Sequence, residues 1–162
     1  MCIRDRCRKL APEYPDVHVD DVIVDTFAMR LVRDPQTFDV VVTTNMFGDI
    51  LSDEAAGLVG GLGMAPGLCI GDRDQAMAQA THGSAPDIAG KGIANPYAMI
   101  ESTRMLLEFL GHSRGNEGAV RMAASMSRAT TEALADADVR TGDIRGTGNT
   151  ASMTAAMIGA RR

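Results

Sequence analysis

Twice within the first sixty residues a short run of β-branched residues passes directly into a helical pattern, and this recurrence limits the fold more than any other feature of the chain. Val17-His18-Val19-Asp20 alternates and Val22-Ile23-Val24 is continuously apolar, which together predict one strand. From there the period changes. Val24, Phe27, Ala28 and Leu31 fall at i, i+3, i+4 and i+7, the stripe of a short amphipathic helix that ends at Arg33, before Pro35. Val40-Val41-Val42 repeats the pattern as a buried strand, and Asn45 to Val59 is rich in helix formers until Gly60 and Gly61 stop it. Strands separated by helices define an α/β chain, with too few strands for a closed sheet.

Both strand-to-helix junctions carry carboxylates. Asp49 and Asp53 are four residues apart in the first turns of the second helix, so they share one face, one turn above the other. Ile50 and Leu51 beside them are expected to be buried. Two anions this close repel unless something positive lies between them. A solvated helix face commonly carries such pairs, and an acidic residue in the first turn complements the helix dipole. The alternative is a divalent-cation site, because hard oxygen donors suit Mg²⁺ or Mn²⁺ with the other positions left to water and substrate. Asp25, at the first junction, reads as a helix N-cap or as a ligand.

Downstream, Gly60-Gly61-Leu62-Gly63-Met64-Ala65-Pro66-Gly67 is too glycine-rich for a regular element. It is a connector or a phosphate cradle, though its spacing matches neither the dinucleotide fingerprint nor the P-loop. Residues 75–81 form a weak strand with Ala76, Ala78 and Ala80 on one side. The fifteen residues 82–96 contain three glycines and two prolines, and a loop of that length inside a compact domain is usually functional or disordered. Its groups suit a dinucleotide: the His82 imidazole, backbone amides around Gly83 and Ser84, and the Asp87 carboxylate. Taken alone, His82 reads as a hydrogen-bonded loop histidine. Asp87 can accept from both adenosine ribose hydroxyls, and its charge repels a 2′-phosphate, which favours NAD over NADP.

Asn95-Pro96 then opens a long helix carrying Met99, Met105, Leu106 and Leu110 and closed by Gly111. A second helix runs from Asn116 to Leu134, with Ala119, Met122, Ala123, Met126, Ala129 and Ala133 as its core stripe. Residues 141–148 form a turn-rich loop, and Asn149 or Thr150 caps a last helix that runs to Gly159. His18 and His112 have no partners in the sequence.

With 162 residues and 45% hydrophobic content the chain can bury a core. A net charge of −5 with scattered basic residues argues against a nucleic-acid footprint, leaving small molecules and protein as partners. Cys2, Cys7 and Cys69 form neither a disulfide framework nor a zinc spacing. No stretch is apolar enough for a membrane span, and residues 1–6 hold no signal-peptide core, so a soluble cytoplasmic chain is expected.

The run Asn45-Met46-Phe47-Gly48-Asp49-Ile50-Leu51-Ser52-Asp53 and the run His82-Gly83-Ser84-Ala85-Pro86-Asp87-Ile88-Ala89-Gly90-Lys91-Gly92-Ile93-Ala94-Asn95-Pro96 resemble the isocitrate/3-isopropylmalate dehydrogenase family. These are the metal-dependent, NAD(P)-linked β-decarboxylating dehydrogenases. The resemblance runs from about Tyr14 to the end of the chain and covers the C-terminal half of a family member. It implies that family's α/β fold, which is not a Rossmann fold. Residues 7–60 are expected to be part of a dimerisation domain and residues 61–162 part of a nucleotide-binding domain. Residues 1–6 are expected to be a non-native start outside the fold, and residues 7–13 the end of a helix stopped by Tyr14-Pro15.

The same resemblance implies that Asp49 and Asp53 bind Mg²⁺ or Mn²⁺, with Asp25 delivered across a homodimer interface into the other subunit's site. His82, Gly83, Ser84, Ala85, Asp87 and Asn95 carry over as contacts to the adenine nucleotide of NAD. The implied activity is oxidation of a 2-hydroxy acid by hydride transfer to NAD, followed by loss of its β-carboxylate. The substrate is isocitrate-like or 3-isopropylmalate-like, and residues 56–67 look more like the NAD-linked isocitrate enzymes. Lys9 and Tyr14 do not sit in the context of the family's general base and proton donor, so an incomplete enzyme is expected. The rival reading is a non-catalytic dimerising remnant that keeps its nucleotide contacts.

Overall fold

A valine run becomes a strand only when a neighbouring strand offers it a hydrogen-bonded edge, and neither of the first two runs finds one. The computed structural model describes residues 2–73 and 75–159. The chain divides into two compact units, with the boundary between Leu58 and Val59. In the first unit the segments expected as strands, residues 17–24 and 40–42, are irregular up to the helices that follow them. Ile23 is extended but 74% exposed, and Val40 is 81% exposed. The β-branched composition that suggested strands is a preference for a pleated, half-covered surface, not a backbone instruction.

The helices of this unit follow the sequence pattern closely. Helix α1 spans Ile3–Leu10 and passes through a 3₁₀ turn, Ala11–Glu13, that ends before Tyr14. Residues 3–6, set aside above as outside the fold, are therefore helical, and Met1 lies outside the described residues. Helix α2 is Val24–Arg33 and α3 is Asn45–Val59. Phe27 and Leu31 of α2 bury against Leu51 of α3, with Val22, Ala28, Phe38 and Ala55 packed around them. The Phe27 and Phe38 rings stand 4.6 Å apart at 55°, and the Arg30 guanidinium carbon lies 5.0 Å over Phe38.

The second unit is built on an antiparallel hairpin. Strand β1, Pro66–Ile70, pairs with β2, Ala76–Ala80, in the register Pro66↔Ala80 to Ile70↔Ala76. β2 is the strand expected, with Ala76, Ala78 and Ala80 half-buried between exposed Met77 and Gln79. β1 was hidden in the sequence by the glycines before it, of which Leu62–Met64 forms a 3₁₀ turn. Helix α4, Tyr97–Ser113, packs across both strands and against α5, Glu117–Ala135, which in turn packs on α6, Thr150–Gly159. Met153 and Met157 of α6 and Ala133 of α5 form the buried centre. Of the methionine stripe on α5, Met126 is buried and Met122 is exposed.

Gly111 does not close α4, which runs on to Ser113. It is buried because α5 crosses there: a Cβ at Gly111 would stand 2.7 Å from Val120 Cγ2 and 3.0 Å from the Val120 nitrogen. The terminating glycine is Gly115, at φ 63°, and the Asn116 amide donates back to the Gly111 carbonyl at 2.8 Å. Asn116 then caps α5, its Oδ1 accepting from the Ala119 amide at 3.1 Å. Among the described residues no helix is long and apolar enough to cross a membrane.

The hairpin is fastened to α4 by one hydroxyl. Ser102, fully buried, accepts from the Gly67 amide at 3.0 Å and stands 2.8 Å from the Gln79 carbonyl and 2.6 Å from the Ala98 carbonyl. It therefore touches both strands and its own helix. Ser102→Ala removes a buried hydroxyl that bonds both strands and its own helix, a net loss of about 0.5–1.5 kcal/mol per hydrogen bond. The expected result is a lower urea midpoint at unchanged slope, and an unchanged midpoint would show that water replaces the hydroxyl without penalty.

Candidate functional site

Asp49 and Asp53 project from α3 beyond its first turn, which contains no acidic residue. The helix dipole acts within the first turn, so it does not account for either carboxylate. Both are exposed, and no described residue forms an ion pair with either. Of the apolar pair between them only Leu51 is buried, at 8% exposure, while Ile50 is 61% exposed, contrary to expectation. Leu51 packs on the Phe27 and Leu31 cluster, whereas Ile50, about 100° away around the helix, falls outside the face that meets it.

Asp25 is not an N-cap. The cap position of α2 is Ile23, which has no side chain able to accept, and Asp25 lies inside the first turn. Its Oδ1 accepts from the Thr26 amide at 2.5 Å and lies 3.3 Å from the Thr26 hydroxyl. Among the described residues no three His, Cys, Asp or Glu side chains converge to hold a metal ion. One chain thus presents Asp49 and Asp53 together and Asp25 apart from them. Two exposed, uncompensated carboxylates one turn apart fit a hard divalent cation that takes its remaining ligands elsewhere.

The loop of residues 82–96 leaves β2 and enters α4, and its two halves are held very differently. Before it, Thr81 is tied to the Ala65 carbonyl by its amide at 3.2 Å and its hydroxyl at 3.0 Å. Residues 82–87 are then all exposed, and His82 Nδ1 lies 2.9 Å from the Gly83 carbonyl, a contact within the loop itself. Ala85 adopts φ 44°, a left-handed conformation that costs a non-glycine residue energy. Pro86–Ile88 forms a 3₁₀ turn that carries Asp87. Among the described residues the amides of Gly83, Ser84 and Ala85 donate to no other protein group. Exposed amides beside an imidazole and a carboxylate suit a polar, partly anionic ligand such as a nucleotide.

The other end of the loop is pinned. The Thr150 amide donates to the Gly92 carbonyl at 2.9 Å and its hydroxyl to the Ala94 carbonyl at 2.5 Å. Asn95 is engaged on every side: its Oδ1 accepts from the Tyr97 amide at 2.9 Å, while Nδ2 donates to Asp143 Oδ2 at 3.0 Å and lies 3.5 Å from Met64 Sδ. Asn95 was expected to cap α4 with Pro96 as its first helical residue, but α4 starts at Tyr97 with Pro96 at the cap position, and Asn95 reaches the Tyr97 amide from just outside it. Asp143 escaped the sequence reading because its loop, residues 141–148, has no periodicity, and only a contact 48 residues away reveals it.

A shallow groove of about 650 Å³ lies between Lys91-Gly92 and the start of α6, where Asn149, Thr150, Thr154 and Ile158 line it. Residues 82–87 do not line it, so the expected nucleotide contacts are spread along the loop and not gathered in one cavity. Asn149 caps α6 reciprocally with Ser152, the Ser152 amide donating to Asn149 Oδ1 at 2.9 Å and the Asn149 amide to Ser152 Oγ at 2.8 Å. Beyond the loop, burial pushes the Tyr97 phenol above its ordinary value, with Glu101 adding to the rise and Arg104 opposing it. Arg104 bridges Glu101 at 2.6 Å and Glu108 at 2.7 Å along α4. Burial alone would lower its guanidinium, but these two carboxylates together hold it above its usual value.

Residues 2–159 match the family model described as isocitrate/isopropylmalate dehydrogenase. The chain is 47% identical over 154 residues to the isocitrate/homoisocitrate dehydrogenase of Thermus thermophilus, a match covering 95% of this chain and 43% of that protein. It is 46% identical over 156 residues to the 3-isopropylmalate dehydrogenase of Lactococcus lactis, covering 96% and 43%. The crystal structure of isocitrate dehydrogenase from Methylococcus capsulatus matches with a TM-score of 0.86 at 47% identity, over 98% of this chain and 45% of that one. The chain spans less than half the length of these relatives, and the fold expected from the sequence is the fold found.

The carboxylate pair makes a direct test available. Mn²⁺ at millimolar concentration is expected to raise the thermal midpoint of the unmodified chain, by ligand linkage, and to leave Asp53→Asn unmoved. Without metal, Asp53→Asn removes an i, i+4 repulsion worth about 0.2–0.5 kcal/mol and should melt no lower than the unmodified chain. A lower metal-free midpoint would mean that Asp53 supports the fold and is not held for a cation.

Proposed function

The chain belongs to the isocitrate/isopropylmalate dehydrogenase family, and on that basis we propose that it contributes metal and nucleotide sites to an NAD-dependent oxidative decarboxylation. The substrate is a 2-hydroxy acid with a β-carboxylate, isocitrate-like or 3-isopropylmalate-like, and the enzyme works in the cytoplasm as a homodimer with shared sites. The observation that carries this reading is the exposed Asp49–Asp53 pair, one turn apart on α3 and, among the described residues, matched with no cation.

A divalent Mg²⁺ or Mn²⁺ bound there supplies Lewis-acid polarisation of the substrate's oxygens. Asp49 and Asp53 hold it from one subunit, and Asp25 of the second subunit completes the set, which accords with its separation from the pair within one chain. In the unit that begins at Val59, His82, Gly83, Ser84 and Ala85 receive the adenine nucleotide through exposed amides and the imidazole. Asp87 accepts from the ribose hydroxyls and repels a 2′-phosphate, so the cofactor is NAD. Asn95, at the end of the loop, is a further contact to the adenine nucleotide. Residues 7–60 serve dimerisation and residues 61–162 serve the nucleotide.

No residue of the chain takes the roles of general base and proton donor. Lys9 lies in α1 and Tyr14 is exposed just beyond it, neither in the family's context for those roles. Positioned acid–base groups are typically worth about 10²–10⁴ in rate. This vacancy is also what favours the second reading, a dimerising chain that binds nucleotide without turning it over.

Two outcomes are expected. The chain binds NAD more tightly than NADP in calorimetric titration, and Asp87→Lys with Ile88→Tyr reverses the order; equal affinity of the unmodified chain for both would remove the role of Asp87. The 162-residue polypeptide alone forms no NADH from isocitrate or 3-isopropylmalate with Mg²⁺. Metal-dependent turnover, with contaminating enzyme excluded by mass spectrometry, would place the acid and base within this chain.

A further inference from the structure

We infer that Asp143 is a positioning residue for the nucleotide loop, holding the Asn95 carboxamide, and with it the C-terminal end of the loop, in a gap that Gly63 leaves open. The inference rests on the reading of residues 82–96 as a nucleotide site. Its geometry joins three segments that are distant in sequence. The Tyr97 amide can only donate and the Asp143 carboxylate can only accept, so the Asn95 carboxamide has one orientation, Oδ1 towards Tyr97 at 2.9 Å and Nδ2 towards Asp143 at 3.0 Å. Its second amide hydrogen has Met64 Sδ within 3.5 Å. A side chain engaged in this way does not turn to follow a ligand. It fixes the backbone at residues 94–96 instead.

Gly63 sets the clearance. A Cβ there would stand 2.9 Å from Asn95 Cβ and 3.0 Å from Asp143 Oδ2, so any larger residue drives the pair apart. Asp143 is itself firmly placed. It lies in the 3₁₀ turn Gly142–Ile144, which follows fully buried Thr141. The Thr141 carbonyl accepts from the Ile144 and Gly146 amides, each at 3.1 Å, and Ile144 packs on the Met153 cluster. The loop therefore has one end tied to the core of its unit and one end, residues 82–87, free to meet a ligand. A fixed end lowers the ordering cost of closing the free end on a nucleotide.

The test measures the affinity of the 162-residue chain for NAD and for AMP by titration calorimetry, with amide hydrogen exchange over residues 88–95 as a second readout. Asp143→Ala is expected to weaken both ligands about tenfold, the loss of one charge-assisted hydrogen bond, and to speed exchange in that segment. Asp143→Asn keeps an acceptor for Asn95 and should retain most of the affinity, whereas Gly63→Ala should lose it as Asp143→Ala does. If Asp143 acts through Asn95, the double variant Asn95→Ala/Asp143→Ala binds no more weakly than the worse single one. Additive losses, or an Asp143→Asn variant as weak as Asp143→Ala, overturn the inference, because the carboxylate then acts on the ligand itself. Unchanged affinity in Asp143→Ala overturns the positioning role alone, and an unmodified chain that binds neither NAD nor AMP overturns the nucleotide reading and this inference with it.

Discussion

The Ser102 hydroxyl fixes more of the second unit than any other single group. It joins β1 through the Gly67 amide, β2 through the Gln79 carbonyl and α4 through the Ala98 carbonyl, all without access to water. β2 ends where the long loop begins, and α4 begins where it ends. Holding the hairpin against the helix therefore sets the distance that residues 82–96 must span, whatever the loop's own sequence prefers. A polar atom is an effective choice for this role. Apolar packing tolerates sliding, whereas a buried hydroxyl with partners on three elements has one arrangement that satisfies them.

The first unit holds its carboxylates by the opposite means. Phe27 and Leu31 of α2 and Leu51 of α3 form one small apolar cluster, and the aspartates are carried on the same two helices. Leu51 lies between Asp49 and Asp53 in sequence and points into that cluster, which turns both acids away from it. The core thus places Asp25 in a fixed relation to the pair, and that relation is not convergent. Among the described residues the three carboxylates therefore do not meet within one chain, for reasons of packing and not of flexibility.

What could be read from the sequence follows from how local each determinant is. The helices were legible because their signals lie within a few residues: the stripe Phe27–Leu31, the Asn116 cap and the Asn149–Ser152 reciprocal cap. Of the strands only β2 was, because a strand depends on its neighbour. Three valines at 40–42 remain unpaired, while the glycine-preceded Pro66–Ile70 becomes a strand once β2 and α4 are beside it. Gly111 was misread for the same reason. Its role is to admit Val120 of another helix, and no local pattern contains that information. At the candidate sites the engagement of Asn95 by Asp143 and the exposure of Ile50 were not legible, because both depend on what packs nearby in space.

Charge closes the argument about ligands. The chain carries a net charge of −5, and the ligands proposed for it, NAD and a hydroxy acid with a β-carboxylate, are anions, so the long-range field would work against both. Binding must come from local positive potential. In the loop of residues 82–96 the amides of Gly83, Ser84 and Ala85 are exposed and donate to no protein group among the described residues, beside the left-handed turn at Ala85. The carboxylate pair on α3 has no such donors and would repel an acidic substrate. A divalent cation would cancel the two negative charges at that face and leave coordination positions that an acidic ligand could fill. The acidity that argues against a nucleic-acid partner is therefore compatible with the acidic small molecules proposed above, if a metal binds with them.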